Sequence, residues 1–225
     1  WGIMRQNAGK KENWEGVPGK WGPQYLSGFP FALKVHANYW LFIGTTYGLF
    51  RTIIYGQLFQ NLTGGGLPKD GVMALAVTPT NVLFAGLFGG GVYKSDDLGL
   101  KWKEAGDGLP KQKITALAGN SNNHIFAATA GMGVYRIKSS ENQWEDFSGG
   151  LAALNVTSLC LDPATGILYA GTPAGIFRTK YATQAYPQPL PTTPFKPQYI
   201  TPTHKPRQTR PPPPRGERRG SDLGL

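Results

Sequence analysis

The chain has 225 residues, enough for one domain or two small ones with a sizeable buried core. Charged residues make up 16%, below the roughly 25% usual for soluble domains, and 31 glycines are near twice the ~7% norm, a balance that suits short strands joined by tight turns. Hydrophobic residues at 40% and aromatics at 12% exclude disorder over most of the chain. No apolar run reaches the roughly 18 residues of a spanning helix, and a single cysteine, Cys160, excludes both an internal disulfide and a cysteine-based zinc cluster.

The chain opens at Trp1 without the charged-then-apolar pattern of a signal peptide, which reads as a cut fragment or processed form and leaves targeting unread. Gly2-Ile3-Met4-Arg5, Asn7-Ala8-Gly9 and Trp14-Glu15 read as strand, turn and strand. From there a repeat governs the sequence. Ala32-Leu33, Ala74-Leu75, Ala116-Leu117 and Ser158-Leu159 recur at intervals of 42 residues. A second segment opens at Leu41-Phe42, Leu83-Phe84, Ile125-Phe126 and Leu168-Tyr169. A third opens at Gly48-Leu49-Phe50-Arg51, Gly91-Val92-Tyr93-Lys94, Gly133-Val134-Tyr135-Arg136 and Gly175-Ile176-Phe177-Arg178. Phe59, Trp102 and Trp144 mark a fourth, followed by Gly66-Leu67-Pro68, Gly108-Leu109-Pro110 and Gly150-Leu151.

Four β-rich segments per unit, each bounded by Gly, Asn, Asp or Pro, predict four antiparallel strands, which is the period of a β-propeller blade. The expected architecture is all-β, about four blades over residues 1–180 in a partial or strand-exchanged ring, the last blade lacking its fourth strand. Either the Trp14 strand completes that blade, or the ring is a piece of a larger one. Small residues alternate along the first strand of each unit (Ala74 and Ala76, Ala116 and Ala118, Ser158 and Cys160), as expected where inner strands crowd a narrow axis, so Cys160 is expected to be a buried packing residue. Trp102 and Trp144 are expected to be buried between blades.

Residues 181–225 form a separate region. Eleven of the chain's 19 prolines fall after Tyr186, with seven Lys or Arg against Glu217 and Asp222, so this tail carries about half of the net charge of +10. Its apolar content is too low to offset the entropy of ordering, and stretches such as Pro211 to Pro214 favour polyproline II. The tail lacks interleaved aromatics, which argues against nucleic-acid binding by base stacking.

The segment Ser95, Asp97, Gly99, Trp102 matches the pattern Ser-x-Asp-x-Gly-x-x-Trp, with GGGVYKS before it, GLP after it and ITALA opening the next unit. Residues 2–179 therefore resemble BNR or Asp-box propeller repeats of bacterial type, as found in sialidases, xyloglucan-degrading glycosidases, sorting receptors and secreted proteins. What the resemblance implies for Ser95, Asp97, Gly99 and Trp102 is a structural turn, on the end of the blade opposite the usual ligand face. That ligand face would be built by the loops between second and third strands and by the connections between blades. Its candidate binding residues are Tyr47, Phe88, Met132, Lys69, Asp70 and Lys111, with Lys113 beside them. No loop carries an insertion of the kind that brings unlike catalytic residues together.

No catalytic residue, metal site or cofactor is implied. Glycoside hydrolysis needs two carboxyl groups about one bond, and only Asp70 and Asp107 fall on the expected face, with nothing to converge them. Arg51, Lys94, Arg136 and Arg178 are repeat-equivalent and read as a solvated stripe rather than an anion site. His36, His124 and His204 have no metal-ligand spacing. The expected function is a non-catalytic scaffold for a protein or glycan ligand, extracellular or periplasmic, that self-associates through open blade edges. The alternatives are a fragment of a propeller glycosidase or sialidase, or the sensory propeller of a signalling protein.

Overall fold

In the computed structural model, residues 4–6, 14–16, 28–36, 40–53 and 58–183 are described; the expectations for the tail beyond Thr183 and for His204 lie outside them. Among these residues every strand ladder is antiparallel and every sheet is a meander. The first blade is β3 (Pro30–Val35), β4 (Leu41–Thr45), β5 (Gly48–Ile53) and β6 (Leu58–Asn61). The second is β7 (Val72–Val77), β8 (Leu83–Leu87), β9 (Val92–Ser95) and β10 (Lys103–Glu104). The third is β11 (Ile114–Gly119), β12 (His124–Thr129), β13 (Val134–Lys138) and β14 (Glu145–Asp146). The fourth has three strands, β15 (Ser158–Leu161), β16 (Leu168–Thr172) and β17 (Gly175–Arg178). A separate two-stranded sheet pairs β1 (Met4–Gln6) with β2 (Trp14–Gly16).

Strand register divides each blade into two faces, because successive side chains point to opposite sides. The trailing face, turned toward the following blade, carries two rows. In the second blade these are Ala74-Gly86-Val92 and Ala76-Phe84-Lys94, and in the third Ala116-Ala128-Val134 and Ala118-Phe126-Arg136. The leading face of the second blade carries Leu75-Ala85-Tyr93 and Val77-Leu83-Ser95. Three apolar clusters follow, one at each junction. Phe42 and Leu49 of the first blade meet Leu75, Leu83 and Trp102 of the second. Phe84 and Val92 meet Ile114, Ile125 and Trp144, and Phe126 and Val134 meet Val156, Leu168 and Ala170. The inner strands lie side by side in the order β3, β7, β11, β15. The ends of that row, β3 and β15, are not packed on each other.

This packing corrects the reading of the small residues. Ala74, Ala76, Ala116 and Ala118 do not crowd an axis; they belong to the inter-blade clusters, where they make room for the next blade. Glycine marks the closest approach. A Cβ on Gly86 would lie 2.4 Å from Ile114 Cγ2, and one on Gly44 2.5 Å from the Val72 carbonyl oxygen. Cys160 occupies the corresponding place in the fourth blade and is exposed, because no blade follows it among the described residues.

The strand-exchange expectation is settled by the register of β1 and β2. Arg5 stands opposite Glu15, as Arg136 does Glu145, Lys94 does Lys103 and Arg51 does Gln60. The hairpin therefore has the register of the outer half of a blade, and β2 pairs with β1 rather than completing β17.

Trp102 and Trp144 are both buried, but their indole nitrogens differ. Trp102 Nε1 donates to the Gly99 carbonyl at 2.9 Å, whereas Trp144 Nε1 is buried without an acceptor among the described residues. Truncating either to Ala is expected to cost about 3–5 kcal/mol, from lost contacts and the cavity left behind. Trp102→Phe should be the more destabilising of the two Phe variants by about 1–2 kcal/mol in urea titrations, since only there does the substitution leave a formerly bonded carbonyl unmet.

Candidate functional site

The two ends of the blades are chemically different. At one end lie the loops between second and third strands. Tyr47 at the tip of β4–β5 is 69% exposed, Phe88 in β8–β9 57% and Met132 in β12–β13 45%. The turns bearing Tyr47 and Met132 close on their own threonine side chains and leave the tips open, whereas the Phe88 N–H donates to the Gly71 carbonyl of the inter-blade connection. Thr45 Oγ1 donates to the Gly48 carbonyl and accepts from the Tyr47 N–H. Thr129 Oγ1 does the same with the Gly133 carbonyl and the Met132 N–H.

Lys69 and Lys111 are exposed in the connections entering the second and third blades. The Lys113 ammonium lies 5.0 Å from the centre of the Phe88 ring, a cation–π distance. Asp70 behaves otherwise. Its Oδ1 accepts from Gly71 N–H at 2.7 Å and its Oδ2 from Gly89 N–H at 2.6 Å. The carboxylate thus ties the inter-blade connection to the Phe88 loop. Asp107 is elsewhere, its backbone paired with Asn142 and Trp144 beside the outer strand of the third blade. Among the described residues the structure brings Tyr47, Phe88 and Met132 onto one end with the lysines, and does not join Asp70 to Asp107.

The opposite end holds Ser95, Asp97, Gly99 and Trp102. Asp97 Oδ1 accepts from the Leu100 N–H at 3.0 Å, the Lys101 N–H at 2.8 Å and the Ser95 hydroxyl at 2.8 Å. Ser95 Oγ accepts from the Gly99 N–H at 2.8 Å. Leu98 and Gly99 take left-handed conformations, with φ of 64° and 89°, at no steric cost for the glycine. The hydrogen bond from the Lys101 backbone, followed by those from Ser95 and Leu100, holds the Asp97 carboxyl below its ordinary pKa. We propose that this turn is structural, with the Ser95 hydroxyl and the Gly99, Leu100 and Lys101 N–H groups bonded within it.

The repeat-equivalent cations are not the solvated stripe expected of them. Arg51 and Lys94 are buried. Arg51 Nη1 donates to the Leu98 carbonyl of the next blade at 3.0 Å, its Nε donates to Gln60 Oε1 at 2.9 Å, and its guanidinium lies 4.3 Å from the Trp40 ring centre. Lys94 Nζ donates to the Ser139 and Glu141 carbonyls, again in the next blade. Burial, then Lys103 nearby, pushes its pKa below the usual lysine value. Arg136 pairs with Glu145 and lies over Phe147 of its own blade. Arg178 alone of the four is exposed.

A third feature was missed in the sequence although its signal was there: His36, Thr78, Asn120 and Asp162 also recur at intervals of 42 residues. Thr78, Asn120 and Asp162 each begin the turn between first and second strands, and His36 holds the same place after β3. Thr78 Oγ1 accepts from Val82 N–H, Asn120 Oδ1 from Asn122 and His124 N–H, and Asp162 Oδ1 from Ala164 N–H. These turns ring a cavity of about 400 Å³ lined by Lys34, Thr78, Asn120 and Leu161, one from each blade. No cluster of three His, Cys, Asp or Glu able to hold a metal occurs among the described residues.

The sequence matches no family model and no curated protein. Solved structures resolve the fold. The extracellular domain of a hybrid two-component system of B. thetaiotaomicron superposes with a TM-score of 0.63 at 17% identity, over 78% of this chain and 24% of that one. An ancestral GH74 enzyme gives 0.56 at 18% identity, over 70% of this chain and 23% of that one. The computationally designed Ika4 protein gives 0.55 at 19% identity, over 69% of this chain and 93% of that one. The fold is a β-propeller. The chain spans about a quarter or less of the two-component domain and of the enzyme, so the propeller likeness carries blades and not activities.

Because the folded-state pKa of Asp97 is depressed, its contribution to stability is full above about pH 4 and is lost as pH falls through the lowered value. Asp97→Asn is therefore expected to melt below the parent chain at pH 7, with the gap narrowing as pH drops under about 4. Melting curves from pH 2 to 8 check it; a gap independent of pH would remove the carboxylate's charge from the turn.

Proposed function

We propose that this chain is a non-catalytic β-propeller scaffold, secreted or envelope-associated, that binds a protein or carbohydrate ligand on the loop end marked by Tyr47, Phe88 and Met132. The observation that carries the reading is the run of three exposed apolar tips on successive blades, flanked by Lys69, Lys111 and Lys113. Exposed aromatic and sulfur-bearing side chains on rigid turns lose little entropy on contact and supply apolar area for a sugar face or a peptide side chain. Against hydrolysis stands Asp70, whose two carboxylate oxygens are engaged by backbone N–H groups and onto which no second carboxylate converges among the described residues.

A second reading, the sensory part of a signalling protein, is favoured by the likeness to the extracellular domain of a two-component system. It uses the same rim with a different output. The likeness to a GH74 enzyme supports a third, a piece of a propeller glycosidase, to which the described rim contributes no acid pair.

Affinity electrophoresis of the full chain in gels containing xyloglucan or mixed-linkage β-glucan tests the carbohydrate arm. Retardation is expected, and Tyr47→Ser with Phe88→Ser should weaken it at least tenfold while leaving the melting temperature unchanged, since neither side chain is buried. Release of reducing sugar that is abolished by Asp70→Ala would overturn the non-catalytic reading.

A further inference from the structure

We propose that the cleft between the β9–β10 turn of the second blade and the β13–β14 turn of the third is a binding site for a sulfate or phosphate group, held between Lys94 and Lys103. The observation behind it is a break in the repeat. In the first and third blades the cation of the third strand faces an acceptor on the fourth: Arg51 stands opposite Gln60, and Arg136 opposite Glu145. The β1–β2 hairpin keeps the rule, with Arg5 opposite Glu15. In the second blade the residue opposite Lys94 is Lys103. Like charges directly opposite on one sheet face repel, so this blade lacks at that point the acceptor that the others have.

The surroundings are built to receive the missing charge. Lys94 is 8% exposed, and an ammonium carries three N–H donors. Two are used on the Ser139 and Glu141 carbonyls, at 3.3 and 3.2 Å, which leaves one without an acceptor among the described residues. The cleft has a volume of about 440 Å³ and is lined by Lys94, Lys103, Asp96, Ser139, Ser140 and Asn142. The two serine hydroxyls and the Asn142 amide make no side-chain hydrogen bond among the described residues, and each can donate to an oxyanion. Asp96 is exposed and forms an ion pair with neither lysine among the described residues. Burial first and Lys103 second lower the Lys94 pKa, against a smaller opposing pull from Asp96, so the positive charge of the pair is not offset from within. A sulfate or phosphate group brings negative charge and several acceptor oxygens to one point, which two ammonium groups and neutral donors around it require. Both walls of the cleft belong to the filled junction of the second and third blades. The site lies at the end opposite Tyr47, Phe88 and Met132, so it stands or falls apart from recognition at the loop rim.

Titration of the full chain with inorganic sulfate, inorganic phosphate and glucose 6-phosphate at constant ionic strength, followed by backbone amide shifts, tests the site. Saturable shifts are expected at Lys94, Lys103 and residues 139–142, and none with chloride. Whichever of phosphate and glucose 6-phosphate binds more tightly tells whether the occupant is a free ion or an ester. Lys103→Glu gives β10 the acid that β14 carries. It is expected to raise the melting temperature in the absence of anion and to weaken anion binding at least tenfold, while the same charge change at the exposed Lys180 of the fourth blade leaves binding unchanged. Shifts that chloride reproduces or that fail to saturate would overturn the proposal. So would a Lys103→Glu chain that binds as tightly as the parent or melts no higher, or a loss of binding that Lys180→Glu matches.

Discussion

Everything in this molecule depends on one packing relation, the seating of the leading face of one blade on the trailing face of the blade before it. A four-stranded sheet of such short strands cannot bury both faces by itself, so each blade derives its core from its neighbours. The alternation along β7 shows how one strand serves both contacts. Ala74 and Ala76 turn to the third blade while Leu75 turns to the first. Glycine at Gly44 and Gly86 sets how closely the next strand approaches.

Electrostatics follows the same junctions. Arg51 and Lys94 are buried cations whose charge is met by carbonyl oxygens of the adjacent blade's outer turn, and by a tryptophan face for Arg51. Burying a cation without such partners would be costly, so these residues link blades only where a following blade is present. The Asp97 turn supplies one of those acceptors, the Leu98 carbonyl, while spending its carboxylate on its own backbone. Structural chemistry therefore concentrates at that end of the blades. At the loop end Tyr47, Phe88 and Met132 stay exposed, while Asp70 is held by two backbone N–H groups.

Much of this was legible in the sequence because a repeat writes the same packing requirement four times. The 42-residue spacing, the four β-rich segments and the aromatic residue of the outer strand located every blade, and the Ser-x-Asp-x-Gly-x-x-Trp segment located one turn. Tyr47, Phe88 and Met132 share one end, since a meander fixes which end each connection occupies. The polar turn positions His36, Thr78, Asn120 and Asp162 were equally regular but differ in residue type, and were passed over.

Local pattern determined which residues form strands, how they pair within a blade and which face each side chain takes, because these depend on hydrogen bonds and alternation between near neighbours in the chain. It did not determine what each face meets. Lys94 and Arg178 occupy the same place in the repeat, yet one is buried against two carbonyls and the other is exposed. Ala118 and Cys160 differ in the same way. Only the tertiary structure decides such pairs, since burial belongs to the junction between blades, and a junction exists only where a second blade is present to close it.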